Sequence, residues 1–383
     1  MQIVYIIGAS QAFFLSILAF NKKNKNDADY VLAIWLCFIA FHLLDYYLLK
    51  TGFSYEHPHL LGIGACFPLL QGPFMYVYTL VMINKNTRLS PVYLLHGLPF
   101  LVFTIYFVFD FYFLSASEKM AYIHLQEKNP YPVITILNIL ILALGPVYIV
   151  LSLIKLRKHI KTIASNFSYT EGINLDWLKY VLAGLGFIWS MVVLTNILVK
   201  IPLITDTLSE NIIYLSVAFA VFFLGYFGIK QQAIYSSTEN RGRIKRSFPS
   251  RSWKKQDTDN KYDELKKAKE ANSIKDLLDY FENEKPYLNN MLSLKEVADE
   301  LRIPINQLSH IINGQIGKNF FDFVNSYRVE EFKSRASHPD YQNYTLISIA
   351  YDSGFNSKAT FNRVFKNYTG QTPSDFYHSI TRS

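Results

Sequence analysis

Seven apolar stretches fill the first 229 residues, at 3–20, 30–49, 60–83, 91–114, 132–154, 177–200 and 212–229. Each is near the roughly 20 residues that an α-helix needs to cross a bilayer. Inside lipid, every backbone N–H and C=O must be satisfied within the protein, which favours helices. The pattern therefore predicts an all-α chain whose residues 1–229 form a seven-helix transmembrane bundle. The charges are sorted to match. Residues 1–229 hold 14 Lys/Arg and 11 Asp/Glu, and residues 230–383 hold 24 and 19. Two such unlike halves exclude a single soluble domain, a secreted disulfide scaffold and a disordered chain. Cys37 and Cys66 both lie in apolar runs without metal or disulfide spacing, so packing is their expected role. No cofactor or metal is expected. The absence of an HExxH or GxSxG motif and of a clustered catalytic set argues against an enzyme.

Loop charges give the orientation. With the N-terminus outside, the inner loops carry nine basic residues: Lys22, Lys23, Lys25, Lys85, Arg88, Lys155, Arg157, Lys158 and Lys161. The outer loops carry four, Lys50, Lys119, Lys128 and Lys200. The positive-inside rule then puts the N-terminus outside the cytoplasmic membrane and residue 230 onward in the cytoplasm. Within the spans, His42, Asp45, Asp110, Asn138 and Asn196 fall toward the outer ends of their helices. His42 and Asp45 share a face at i, i+3. Ionisable residues in spans are costly and often functional, which makes His42, Asp45 and Asp110 candidate signal-binding residues. The plain alternative is hydrated residues at headgroup level. Gln71-Gly72-Pro73 and Gly145-Pro146 mark either broken helices lining a cavity or proline kinks that serve packing.

Residues 230–275 read as a basic juxtamembrane linker followed by a helix. Lys230, Arg241, Arg243, Lys245, Arg246, Arg251, Lys254 and Lys255 face only Glu239 in the first part. Such a run suits contact with anionic lipid, with DNA phosphates, or a solvated tether. Tyr262, Leu265, Ile274, Leu277, Leu278 and Phe281 then form one helical stripe, which could pair with a second copy to make a homodimer.

Residues 276–383 carry a different signal. Ser293 and Glu296 read as a capping box that starts a helix with Val297, Ala298 and Leu301 on its apolar face. Arg302-Ile303-Pro304 turns the chain. The next helix buries Ile305, Leu308, Ile311 and Ile312 and turns Asn306, Gln307, Ser309, His310 and Asn313 outward. Two short helices joined tightly, the second polar outside, describe a helix-turn-helix. The pattern recurs 52 residues later, where Ile349-Ala350 matches Val297-Ala298. Its second helix buries Phe361, Val364, Phe365 and Tyr368 and turns Lys358, Thr360, Asn362, Arg363 and Lys366 outward. Between them, a helix over 319–336 spans about 26 Å. That spacing suits two recognition helices about one DNA turn, near 34 Å, apart.

These residues resemble a known family. Ile349-Ala350, Gly354-Phe355, Phe361, Arg363, Phe365-Lys366, Gly370 and Thr372-Pro373 look like the C-terminal signature of the AraC/XylS transcription regulators. Residues 293–335, ending in Tyr327-Arg328, look like that family's first helix-turn-helix and connecting helix. One departure stands at Phe376-Tyr377, where the family often has Tyr-Arg. The resemblance implies a cytoplasmic, all-helical double helix-turn-helix domain that places both recognition helices in the major groove of double-stranded DNA. The whole then resembles the membrane-bound type of these regulators, with RNA polymerase as a partner if the output is activation. Candidate base-contacting residues are Asn306, Gln307 and His310 on the first recognition helix, and Lys358, Thr360 and Arg363 on the second. Arg363 fits a structural or phosphate contact as readily as base reading. A net charge of +8 agrees with an anionic partner, nucleic acid or lipid. The expected function is a membrane-anchored, sequence-specific DNA-binding transcription regulator that couples a membrane or extracytoplasmic signal to gene expression. The alternatives are a transporter or channel with an attached regulatory domain, and an intramembrane enzyme.

Overall fold

The computed structural model describes residues 2–239 and 260–381, apart from 24, 85–88, 129, 130, 172, 174 and 202. The basic run at 241–255 and the inner-loop pair Lys85 and Arg88 lie outside the described residues, as does the Lys230 side chain. The described residues form helices and one isolated β-bridge. The chain divides into two compact units, Met1–Arg157 with Leu175–Arg246, and Lys158–Asn174 with Ser247–Ser383.

The first unit is built on α1 (Gln2–Phe20), α2 (Asp27–Lys50), α3 (Phe53–Glu56), α4 (Pro68–Ile83) and α5 (Leu98–Phe107). It continues through α6 (Ala116–Lys128), α7 (Pro132–Asn166), α8 (Asp176–Lys200) and α9 (Asp206–Glu239), the end of α7 passing into the second unit. Six segments are long and apolar enough to cross a membrane: α1, α2, Pro91–Tyr112 (which contains α5), α7, α8 and the Asp206–Gly225 part of α9. The expected third span is shorter. Residues 61–67 form turns and α4 has 16 residues, about 24 Å against a hydrocarbon core of about 30 Å. Contacts at one end of the bundle nonetheless require α4 to traverse it. Tyr5 at the start of α1 donates to Asn211 at the start of α9 (2.7 Å), and Lys50 at the end of α2 pairs with Glu210 (2.5 Å). An even number of traverses must separate residues 50 and 206, and α4, α5, α7 and α8 supply it. Ile3, Phe14, Phe187 and Phe219 point outward, 59–72% exposed, as a lipid-facing surface would present them.

Both helices with internal prolines continue through them, α4 past Pro73 and α7 past Pro146. The adjoining glycine serves close approach, since a Cβ on Gly145 would lie 2.1 Å from the Trp189 ring. Neither helix is broken at these positions, and Gly145 serves packing.

The second unit adds α10 (Asn260–Asn283), α11 (Leu294–Glu300), α12 (Ile305–His310), α13 (Phe320–Ala336), α14 (Leu346–Asp352), α15 (Lys358–Thr369) and α16 (Pro373–Thr381). The expected capping box forms: the Ser293 hydroxyl accepts from the Glu296 N–H, and the Glu296 carboxylate accepts from the Ser293 N–H at 2.7 Å. Helix α13 is the spine. Its first half gives Phe320, Phe323 and Val324 to one core with Leu308, Ile311 and Ile312. Its second half gives Val329, Phe332 and Ala336 to another with Ile349, Phe361 and Phe365. One rigid helix thus carries both helix-turn-helix units. Leu277 and Phe281 are fully buried in the first of these cores, and Ile274 and Leu278 pack against it. The Ile274–Phe281 part of the α10 stripe thus packs into the unit's own core. The side chains of Tyr262 and Leu265 lie outside the described residues.

Candidate nucleic-acid interface

The first motif consists of α11, a turn through Arg302 in the left-handed region (φ 54°), and α12. Helix α12 continues into a wider turn over Ile311–Gln315. Leu308, Ile311 and Ile312 are fully buried, which turns the opposite side of α12 outward. There Asn306 and His310 are exposed and Gln307 is half-buried. The second motif is α14, the turn Ser353-Gly354-Phe355, and α15, whose first turn is capped by Ser357. Gly354 (φ 92°) lies against the spine, where a Cβ would come 2.2 Å from the Tyr287 carbonyl oxygen and 3.0 Å from Arg328 Nε. Only glycine combines that conformation with that approach. On α15, Lys358, Asn362, Arg363 and Lys366 are exposed. The Arg363 guanidinium also lies 5.6 Å from the centre of the Phe321 ring, which ties it to α13.

Two expected placements on α15 reverse. Thr360, expected to face outward, is buried (6% exposed), and its hydroxyl donates to the Glu171 carboxylate. Tyr368, expected inside, is 48% exposed with Lys318 Nζ 5.6 Å from its ring. At the position of the family departure, Phe376 packs on Phe365 at 5.5 Å and Tyr377 joins the same core.

Residues 158–174 connect the expected spans 132–154 and 177–200. They belong to this unit. Phe167 bridges antiparallel to Ser293, and the Ser168 N–H donates to the Leu292 carbonyl (3.1 Å). Ile163, Tyr169 and Ile173 form a small core against Phe167 and Met291. Ser168 also completes the shell of Arg328, which is 1% exposed. All five guanidinium N–H groups have acceptors. Nε donates to the Tyr287 carbonyl (2.8 Å). Nη1 donates to the Ser168 carbonyl (2.9 Å) and Asn325 Oδ1 (3.2 Å). Nη2 donates to Ser168 Oγ (3.0 Å) and the Asn289 carbonyl (2.7 Å). Burial pushes the Arg328 pKa down, and the nearby Glu171 charge opposes that. Beside it, Glu331 accepts from Lys285, Tyr287 and Arg335. Burial pushes the Glu331 carboxyl up, but the hydrogen bonds and charges of Arg335 and Lys285 outweigh it and hold it below the usual range.

In the first unit, the candidate signal residues do not gather. A cavity of about 280 Å³ lies among α2, α4, α7, α8 and α9, and its walls include Trp35, His42, Gln71, Asn138, Trp189 and Asn196. Of the three candidates, only His42 lines it. Asp45 sits against the backbone of Gly64, and Asp110 accepts from Tyr122 (2.8 Å). Gln71, expected only within a Gln71-Gly72-Pro73 break that lines a cavity or serves packing, is among the lining residues. Trp35 Nε1 donates to Gln71 Oε1 (2.7 Å), which fixes the amide orientation. Gln71 Nε2 is then a buried donor without an acceptor among the described residues. Among the described residues, no group of three or more His, Cys, Asp and Glu is placed to hold a metal ion.

Residues 297–379 match the helix-turn-helix domain family. Uncharacterized HTH-type transcriptional regulators of Staphylococcus aureus strains COL and MSSA476 are each 31% identical over 103 residues. That stretch is 27% of this chain and only 13% of either relative. No solved structure matches the chain.

Proposed function

We propose that this chain is a membrane-anchored, sequence-specific DNA-binding transcription regulator. The observation that carries the reading is the mounting of two helix-turn-helix units on one helix, α13, whose 17 residues span about 25 Å. Each unit presents a second helix with a buried apolar side and a polar outer side. Helices α12 and α15 enter successive major grooves. Asn306, Gln307 and His310 read bases in one, and Lys358 and Arg363 contact bases or phosphates in the other. The six long apolar helices, with the shorter α4 as a seventh crossing, hold the chain in the cytoplasmic membrane, N-terminus outside, with the second unit in the cytoplasm. The basic residues near the last span bind anionic lipid, and a second copy or RNA polymerase completes the regulatory complex.

Signal coupling rests on the cavity. At about 280 Å³ the cavity lies just under the roughly 300 Å³ at which pockets for drug-sized ligands begin, which limits its occupant to a smaller molecule. Its walls are mostly apolar, and its unsatisfied Gln71 amide N–H calls for an acceptor. The ligand is a small apolar molecule bearing a carbonyl or hydroxyl oxygen, with His42 as a second polar contact.

The reading is tested with the full chain in lipid nanodiscs and a randomised duplex library. Gln307→Ala should weaken discrimination in one base-pair cluster and Lys358→Ala should act on another, each by about 1–3 kcal/mol if the contact is direct. If both substitutions act on the same cluster, two-helix docking is wrong.

A further inference from the structure

Helix α15 is the second recognition helix of the proposed DNA interface, and its first turn is already occupied. The Ser357 hydroxyl accepts from the Thr360 N–H (3.1 Å) and donates its proton to a Glu171 carboxylate oxygen. The Thr360 hydroxyl donates to the same oxygen. An anion therefore sits where the helix dipole and free N–H groups favour one. It comes from the polypeptide itself, 186 residues before Ser357.

The segment that carries Glu171 is firmly held three residues earlier. Ser168 gives its carbonyl and hydroxyl to the buried Arg328 and donates to Leu292, and Phe167 bridges to Ser293. The two ends of this short segment differ in kind. The Ser168 end completes the shell of a buried charge, so detaching it strands guanidinium N–H groups. The Glu171 end is joined by side-chain bonds to two hydroxyls, which water or a phosphate oxygen can replace. Chain connectivity adds a route for control. The segment lies in sequence between α7, which contributes Asn138, Ile141 and Leu142 to the cavity, and α8, which contributes Leu185, Ile188 and Trp189.

We propose that residues 167–171 are an internal clamp on the DNA interface: Ser168 anchors the segment to the spine, and Glu171 covers the start of α15 until DNA displaces it. The inference rests on the DNA-binding reading above. A DNA backbone approaching α15 meets a carboxylate, and the two anions exclude each other. Release of Glu171 frees the Ser357 and Thr360 hydroxyls to donate to phosphate. The order of events is then anchor kept, carboxylate released, duplex bound. Ligand in the cavity acts through the two helices that flank the segment.

A backbone contact weakens or strengthens all sequences alike, so the test needs no known operator. The full chain in phosphatidylcholine nanodiscs is titrated with short duplexes of mixed sequence. Glu171→Gln, which keeps the side-chain size, is compared with wild type and with Glu330→Gln. Glu330 is an exposed carboxylate on α13 that pairs with Lys333, so the control makes the same change in net charge. Glu171→Gln should tighten duplex binding about tenfold, the size of a lost charge-assisted hydrogen bond. Glu330→Gln should change it less than about twofold. Equal tightening by both variants, or none by Glu171→Gln while binding is measurable, overturns the clamp and leaves the DNA-binding reading intact. If no protein of the three binds duplex at low salt, that reading falls and the clamp falls with it. Hydrogen exchange in the wild-type chain gives a second measure. Adding duplex should speed exchange at Thr170, Glu171 and Ile173 while Ser168 stays protected, and unchanged exchange at all four overturns the proposal.

Discussion

Replacing Ser168 by alanine should destabilise a domain whose core begins more than a hundred residues later in the chain. The hydroxyl accepts from Arg328 Nη2 at 3.0 Å and donates to the Leu292 carbonyl at 2.7 Å, and the residue is fully buried. Alanine removes both bonds and changes almost nothing else, because the Ser168 carbonyl still serves Nη1 and the N–H still serves Leu292. The dominant loss is one N–H of a buried cation left without an acceptor. Hydrogen bonds to charged groups contribute about 1.5–3 kcal/mol net, and an unsatisfied buried donor costs about 1–3 kcal/mol. A loss of about 2 kcal/mol corresponds to about a thirtyfold fall in hydrogen-exchange protection, at 1.4 kcal/mol per factor of ten. The assay is exchange of the α13 amides in the full chain in nanodiscs, where the second unit opens while the membrane unit stays embedded. Phe332 and Val329 are fully buried and report global opening of this unit. Less than a twofold change there, or a change confined to residues 158–174, would refute the claim that this segment is part of the domain.

Two further outcomes follow from single side chains. The Glu331 carboxyl titrates below its ordinary value in the folded unit, so its contribution is present above the ordinary carboxylate pKa and is lost as pH falls through the depressed folded value. Unfolding of the second unit should therefore become easier on acidification, and Glu331→Gln should flatten that part of the profile; an unaltered acid limb contradicts it. The protein isolated in mild detergent should retain a small apolar molecule detectable by native mass spectrometry, and Gln71→Leu should lose it. Retention by both proteins removes Gln71 from the site, and absence from both removes the cavity ligand.

How much of this was legible in the sequence depends on how locally each feature is encoded. Ser293 and Glu296 are three residues apart, and the box formed as read. The stripes through Leu308, Ile311 and Ile312, and through Phe361 and Phe365, are helical periodicities that the packing follows. Periodicity also misled at Thr360 and Tyr368, because helical position sets direction while burial depends on what else covers the helix. Thr360 is covered by residues that come earlier in the chain, and nothing near it in sequence signals them. The 158–174 segment itself carried a faint mark. Ile163, Phe167, Tyr169 and Ile173 are apolar in a stretch with no span-like run, a sign of burial against a partner. His42 and Asp45 share a face as expected, yet Asp45 and Asp110 are turned to Gly64 and Tyr122, away from the cavity. The pairing of Gln71 with Trp35 joins two helices and has no local signature.

The most direct test of the account is recovery of the DNA crosslinked to the full-length protein in the membranes of its own cells. Enrichment of specific sites, each with two conserved base-pair clusters about one helical turn, or near 34 Å, apart, is the predicted result. Recovery of random genomic fragments, or of sites with a single cluster, would contradict a membrane-held regulator that reads DNA with both α12 and α15.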